Sequence, residues 1–271
     1  MTQHTGVPHP GVHERAIVED GARIGEGVIV EPFCHVGANV TLGDGVRLHP
    51  HATVLGHTEV GEGTEIYPFA VLGSPPQHRA YRGEPTRLIV GARNQIREHV
   101  TMHPGTVQGH AETRVGDDGL FMVGAHVAHD CVLGDRVIMA NNATLGGHIA
   151  IGDDVFLSGL CAIHQFCRIG SYSFVGGGGI VTTDVIPYAM AVGNHAHLDG
   201  LNVVGMKRRG MDRRTIHAIR AAYRSLFGPE GTLQERIEDT AELYAEVPEV
   251  MRIVDFMRAE AERPLCLPAR G

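Results

Sequence analysis

Large aliphatic residues recur every six positions along most of this chain. The beat runs through Val12, Val18, Ile24, Val30, Val36, Leu42, Leu48, Val54, Val60, Ile66 and Leu72 without a miss. It returns at Val90, Ile96 and Met102. It then resumes, one residue out of phase, at Val115, Phe121, Val127, Leu133, Met139, Leu145, Ile151, Leu157, Ile163, Ile169, Val175 and Val181. The fifth place of each hexad is mostly small, as at Ala16, Ala22, Cys34, Ala52, Ala70, Ala125, Cys131, Ala143, Cys161 and Cys167. Gly and Asp gather at places two to four, in "LGDGVR", "VGEGTE" and "IGDDVF". This spacing is neither helical nor the simple alternation of a strand. It predicts a parallel β-helix, in which three short faces make one coil and two inward positions per face fill a thin triangular core.

Two stretches break the beat. Residues 73–89 ("GSPPQHRAYRGEPTRLI") and 103–114 ("HPGTVQGHAETR") are too polar to fill coils, so they read as loops pushed out from the solenoid, where function tends to sit. After Pro187 the hexads stop. "MDRRTIHAIRAAYRSLF" then carries Ile216, Ile219, Tyr223 and Leu226 at helical spacing, with Asp212 as its N-cap. "TLQERIEDTAELY" opens on a capping box, Thr232 with Glu235, and Pro248 marks the start of a third helix. The expected organisation is a β-helix over 1–190 and a helical domain over 191–271.

Composition narrows the function classes. The 271 residues carry a formal net charge of −8 with 43% hydrophobic residues, which disfavours general nucleic-acid binding. No apolar run reaches the length of a membrane span, and the N-terminus lacks the profile of a secretion signal. Five scattered cysteines do not suggest a disulfide framework. Cys34, Cys131, Cys161 and Cys167 occupy fifth places and read as small buried hydrophobes. The chain is therefore expected to be reduced and cytoplasmic.

The chemistry gathers in "VGAHVAHDCVLG" (123–134). Residues eighteen apart stack on neighbouring coils, about 4.8 Å apart. His129 therefore lies below Gly147, and Gly147 below Gln165, with His148 and His164 alongside and His126 ending the preceding hexad. None takes an inward place, so one edge of the solenoid carries a polar ladder. An imidazole can take a proton from an attacking hydroxyl, Asp130 or a backbone carbonyl can fix its tautomer, and a glycine N–H one rung away can meet a developing oxyanion. That combination suits acyl transfer. A zinc site using His126 and His129 is the other chemical reading, although His-x-x-His alone is weak support. A purely structural solenoid would need neither the ladder nor the loops.

"GEPTR" (83–87), "RNQIREHVTMHPGTVQG" (93–109), "AHVAHDC" (125–131), "ANNATLGGH" (140–148), "HQF" (164–166), "GNHA" (193–196) and "KRRG" (207–210) together resemble the UDP-N-acetylglucosamine O-acyltransferases, which open lipid A biosynthesis. The likeness covers essentially the whole chain. It implies a left-handed parallel β-helix of hexapeptide repeats with a C-terminal α-helical domain, assembled as a homotrimer with sites between subunits. It also implies transfer of an R-3-hydroxyacyl chain from acyl carrier protein to the sugar 3-position, without a cofactor, a metal or a covalent intermediate.

By this resemblance His129 is the general base, Asp130 its support and the Gly147 N–H the oxyanion donor. His126 and His148 line the sugar site with Gln77 and His78. Gln165, with His164 beside it, Asn202 and Arg208 match nucleotide contacts. Gly177 matches the position whose bulk limits acyl length, and His195 lies on the same acyl path. Lys207, Arg208, Arg209, Arg213, Arg214, Arg220 and Arg224 form a basic cluster that would attract an acidic carrier protein. One departure bears on the acceptor. His78 stands where the family usually has aspartate, and Ala80 where it has lysine, so a 3-amino sugar nucleotide is an alternative acceptor. A relative that N-acylates the next sugar intermediate has an extra N-terminal domain, whereas hexads here begin at Val12.

Overall fold

The structure, a computed structural model, describes residues 11–269. It is a left-handed parallel β-helix closed at one end by helices. Mostly two-residue strands alternate with corners, and away from the two loops and the last coil each pairs with a strand eighteen residues on, as Ile17 with His35 and Val18 with Val36. Among the described residues the result is three sheets of nine, eight and ten strands, parallel except for the last pair of the ten-stranded sheet. The leading residue of each hexad points inward: Val36, Leu48, Val54, Ile66, Leu72, Leu145 and Leu157 are fully buried. Each such side chain contributes about 1.5–3 kcal/mol through burial. The fifth-place residues fill the remaining core, and all five cysteines are buried and free. Burial pushes the Cys131, Cys161 and Cys167 thiols up to about 12, which suits inert core residues.

The corners turn through residues at the fourth place, which adopt left-handed backbone: Phe33 (φ 63°), His51 (66°), Asp130 (61°), His148 (60°) and Phe166 (69°). At the corner between the eight- and ten-stranded sheets, the third-place N–H is covered by a carboxylate from the coil above. Asp44 accepts from Glu26, Asp117 from Ala92, Asp135 from Asp117 and Asp153 from Asp135, at 2.8–2.9 Å.

The two excursions are narrower than the hexads suggest. Residues 87–90 form a strand paired to 57–60, and Leu88 is fully buried. Residues 112–115 pair with 87–90, and Thr113 is fully buried. Leu88 and Thr113 each re-enter the core before the aliphatic beat becomes visible, so the loops run 74–86 and 103–111. The expected boundary at 190 also shifts. Strand Ala189–Val192 adds to the ten-stranded sheet and pairs antiparallel with His197–Leu201.

Four helices follow: α1 (Val203–Arg208), α2 (Arg213–Leu226), α3 (Leu233–Leu243) and α4 (Pro248–Arg258). Asp212 caps α2 by accepting from the Arg214 and Thr215 N–H groups, the Thr232–Glu235 box opens α3, and Pro248 starts α4. Six-residue α1 has no apolar period and buries only Met206, so periodicity does not mark it. Ile219, Ala222, Leu226, Ile253 and Val254 are fully buried, and Arg252 on α4 donates to the hydroxyl of buried Tyr188 at 2.9 Å. Among the described residues, no helix is long and apolar enough to cross a membrane.

Candidate active site

The corner between strands His126–Val127 and Val132–Leu133 carries the chemistry. Asp130 sits there in left-handed backbone with its carboxylate wholly buried. Loop 103–111 folds onto it. The Thr106 N–H and hydroxyl donate to Asp130 at 3.0 and 2.7 Å, and the His110 N–H at 2.8 Å. Gly109 makes that closure possible, because a Cβ there would lie 2.4 Å from the Asp130 carboxyl carbon. His129 completes the set: its Nδ1–H donates to Asp130 Oδ2 at 2.8 Å. A carboxylate only accepts, so Nδ1 carries a proton, and it is Nε2 that has the lone pair in the neutral ring. Burial alone would raise the Asp130 carboxyl. The hydrogen bonds from His129, Thr106 and His110 outweigh it and hold the group well below the usual carboxylate range.

Gly147 lies directly above. The backbone stacks in register, His148 N–H donating to the His129 carbonyl at 3.0 Å and Phe166 N–H to the Gly147 carbonyl at 3.2 Å. Residues 129, 147 and 165 thus share one corner as the spacing predicts. The His129 ring packs so closely on Gly147 that a Cβ there would meet its Cε1 at 2.5 Å. Where the neighbouring corner covers four of its third-place N–H groups with aspartate, this one has Gln165. Among the described residues, no acceptor meets the Gly147 N–H.

Other imidazoles crowd the base. His148 stands edge-on to His129 at 5.1 Å and stacks on Phe166 at 4.6 Å. Burial lowers the pKa of His148, with nearby His129 adding to the effect. His126 lies 2.7 Å from the Thr101 hydroxyl, and burial together with His103 and His129 lowers it to about 4. His78, from loop 74–86, meets His129 edge-on at 4.9 Å. The His78 Nδ1 is buried without a hydrogen-bond partner, as is Nε2 of His103.

A metal is a less fitting occupant. His129, Asp130 and His148 place one ligand atom each within 4.8 Å of one another. Yet both Asp130 oxygens already accept hydrogen bonds, one of them from the His129 nitrogen that faces it. The set is built to hold a proton on Nδ1 and leave Nε2 open, and nothing in it supports a zinc-dependent hydratase.

The remaining expected residues lie partly on this ladder and its loop and partly elsewhere on the protomer. Gln77 is exposed on its loop, and His164 and Gln165 are exposed on the ladder's upper rung. Gly177 and His195 share the corner between the nine- and ten-stranded sheets, the 193–196 turn bonding to Ile180. Asn202 caps α1, accepting from the Gly205 N–H and donating to the Tyr172 carbonyl. With Arg208 it lines a cleft of about 600 Å³ over the ten-stranded sheet, walled by Ile138, Phe156 and Phe174. One chain therefore does not unite Asn202 and Arg208 with His129. Lys207, Arg213, Arg214 and Arg220 are exposed. Arg209 plays a different part. It pairs with buried Asp154 at 2.9 Å, as does Arg136 at 3.0 Å, and so ties α1 to the solenoid.

Sequence reasoning does not single out Thr106 or His110, because their backbone N–H groups serve the site and N–H groups have no residue signature. Phe166 is legible only as the neighbour of Gln165.

Residues 184–266 match the protein family described as Udp N-acetylglucosamine O-acyltransferase, domain 2. Residues 21–56 and 39–74 match the bacterial transferase hexapeptide repeat. An acyl-[acyl-carrier-protein]–UDP-N-acetylglucosamine O-acyltransferase of Caulobacter vibrioides is 59% identical over 202 residues, covering 74% of this chain and 77% of its own. The protein of the same name from Rhizobium johnstonii is 50% identical over 260 residues, 96% of each chain. A crystal structure of a UDP-N-acetylglucosamine acyltransferase aligns with TM-score 0.92 at 42% identity, covering 96% of this chain and 99% of that one.

Proposed function

This chain belongs to the UDP-N-acetylglucosamine O-acyltransferase family, and from that premise we propose that it moves an R-3-hydroxyacyl chain from acyl carrier protein to the 3-position of UDP-N-acetylglucosamine. The observation that carries the proposal is the His129–Asp130 pair at 2.8 Å packed against the uncovered Gly147 N–H.

His129 Nε2 takes the proton of the sugar 3-hydroxyl as its oxygen attacks the thioester carbonyl carbon. Asp130 holds the ring in the tautomer that permits this and steadies the imidazolium. The carbonyl oxygen becomes an oxyanion beside the Gly147 N–H. The carbon–sulfur bond then breaks, His129 returns the proton to the departing thiol, and the ester remains on the sugar. No covalent acyl-enzyme is needed. His126 and His148 flank the sugar as neutral rings. Gly177 faces open space, its nearest obstacle to a Cβ being the Gly159 carbonyl at 3.6 Å, which supports a long acyl chain of about the hydroxymyristoyl length.

A homotrimer fits this reading. The nucleotide contacts Asn202 and Arg208 lie in the cleft over the ten-stranded sheet, away from His129, so a neighbouring copy must bring the two halves together. The exposed Lys207, Arg213, Arg214 and Arg220 offer an acidic carrier protein its landing surface. A cytoplasmic location suits such a donor and the five free thiols. We propose neither a nucleic-acid partner nor a cofactor.

A second acceptor is favoured by one specific observation. His78 stands beside the base with a buried, unpartnered Nδ1, where an aspartate is usual. A 3-amino group on the sugar has two N–H donors against the hydroxyl's one, so one can meet the His78 nitrogen while the other faces His129, and the product would be an amide. The deciding assay supplies R-3-hydroxyacyl carrier protein with UDP-N-acetylglucosamine or its 3-amino analogue. Transfer to either supports the acyltransferase reading, and the ratio of kcat/KM assigns the acceptor. Transfer to neither by folded protein overturns it.

A further inference from the structure

Beyond α4 the chain crosses back over the solenoid. Leu265 bridges Asp184 in parallel, the Asp184 N–H donating to the Pro264 carbonyl and the Cys266 N–H to the Asp184 carbonyl, both at 2.8 Å. This strap delivers half-buried Arg263 onto the corner of His164, Gln165 and Phe166. The Arg263 Nε–H donates to the Gln165 carbonyl at 3.1 Å. One terminal nitrogen lies 3.0 Å from His164 Nδ1, and the guanidinium sits 6.0 Å from the Phe166 ring centre.

Three groups meet here, and only one of them can change role. The guanidinium only donates, the carbonyl only accepts, and the imidazole nitrogen does either. His164 Nδ1 is also 3.1 Å from the Gln165 carbonyl. With Arg263 in place, a proton on Nδ1 would face the N–H groups of the guanidinium. Nδ1 must accept, and the ring proton lies on Nε2. Without Arg263, both the carbonyl and Nδ1 lose their donor. The arrangement that restores a bond is Nδ1–H donating to the carbonyl, which leaves Nε2 with a lone pair.

We infer that Arg263 is a positioning residue that holds His164 as its Nε2–H tautomer, so that the rung beside Gln165 presents a hydrogen-bond donor to an oxygen of the UDP-sugar. The identity of that ligand rests on the function proposed above, whereas the tautomer does not.

The test uses the full chain labelled with 15N-histidine, with His164→Gln to assign the ring signals. Wild type shows His164 protonated on Nε2 alone, and Arg263→Ala shows the proton moved to Nδ1. Arg263→Lys, a point donor that cannot serve ring and carbonyl together, shows a mixture. Losing one donor to the substrate raises KM for UDP-N-acetylglucosamine roughly 10-fold in Arg263→Ala and leaves kcat nearly unchanged. Adding Arg263→Ala to His164→Ala raises it no further, since the two act through one contact. An Nδ1–H ring in wild type, an unchanged tautomer in both Arg263 variants, or additive effects on KM would overturn the inference. Absence of transfer by wild type would sink the acyltransferase reading instead, leaving the tautomer result to stand or fall by itself.

Discussion

Replacing Gly147 with alanine puts a methyl carbon 2.5 Å from Cε1, 2.8 Å from Nε2 and 3.0 Å from Nδ1 of His129. Carbon atoms rest at about 3.5–4.0 Å, so the ring must retreat by about 1 Å. The backbone does not resist the change, because Gly147 lies outside the left-handed region. The ring does resist it: Nδ1 is tied to Asp130 at 2.8 Å, and the His78 and His148 rings stand 4.9 and 5.1 Å away. Either that bond stretches or the neighbouring rings shift, and Nε2 leaves the line of approach to the hydroxyl. A proton acceptor works within about 2.6–3.2 Å, and a misplacement of about 1 Å costs on the order of 10²-fold in rate. Overpacking costs about 1–3 kcal/mol of folding stability, too little to unfold a solenoid of this size. The expected result is kcat lowered about 100-fold, with KM for the UDP-sugar changed far less. Initial rates of acyl transfer at saturating carrier protein and UDP-sugar measure it, with urea unfolding as the control. A folded Gly147→Ala enzyme whose kcat stays within about threefold of wild type would refute the packing of base on backbone from which the mechanism starts.

Further outcomes follow from the same geometry. His129→Ala lowers kcat by about 10²–10⁴ with an unchanged circular dichroism spectrum, as for a lost general base; near-normal turnover would remove its role. His126 is held at about 4 against an ordinary 6.5, so the unfolded chain binds its proton first and stability declines as pH falls from about 6.5 to about 4. Urea unfolding at pH 7 and 4.5 should therefore show a smaller drop in His126→Asn than in wild type, by about 2 kcal/mol at most once solvent screening of the partly buried ring is allowed for. Equal drops would contradict the burial argument. Arg213→Glu with Arg220→Glu weakens carrier-protein binding by surface plasmon resonance, and more at low salt. Arg209→Ala instead lowers the melting temperature, because it removes the α1 tie to Asp154; the reverse pattern would reassign the patch. Gly177→Met shifts the kcat/KM preference among graded acyl chains toward shorter ones, and an unchanged preference would detach that corner from the acyl path.

Legibility in the sequence depends on which interactions have a period. The coil is legible because one large inward residue per hexad is a purely local demand, met from Val18 to Val181 everywhere but in the two excursions. The stacking of His129, Gly147 and Gln165 follows from it by counting eighteen. The caps at Asp212 and Thr232 are legible because a capping side chain bonds within its own turn. The loop edges are not, since Leu88 and Thr113 enter the core on strands whose pairing skips thirty and twenty-five residues instead of eighteen. Arg209 cannot be told from its basic neighbours, because its partner Asp154 is remote in sequence. Arg263 likewise lies ninety-eight residues beyond the carbonyl it serves.

Coil registration also constrains how such a chain can lengthen. Six residues added between Arg136 and Ile138 would rotate everything above by a third of a revolution and carry the glycine rung to another prism edge. Eighteen added there would restore the orientation but slip a foreign storey between imidazole and amide. The same eighteen placed below Val60 would leave that meeting untouched and simply raise it farther from the base. Within the coil itself, growth that spares the site comes in whole storeys outside the span from His129 to Gly147, and any other increment must leave the prism as an extruded loop, as residues 74–86 and 103–111 do.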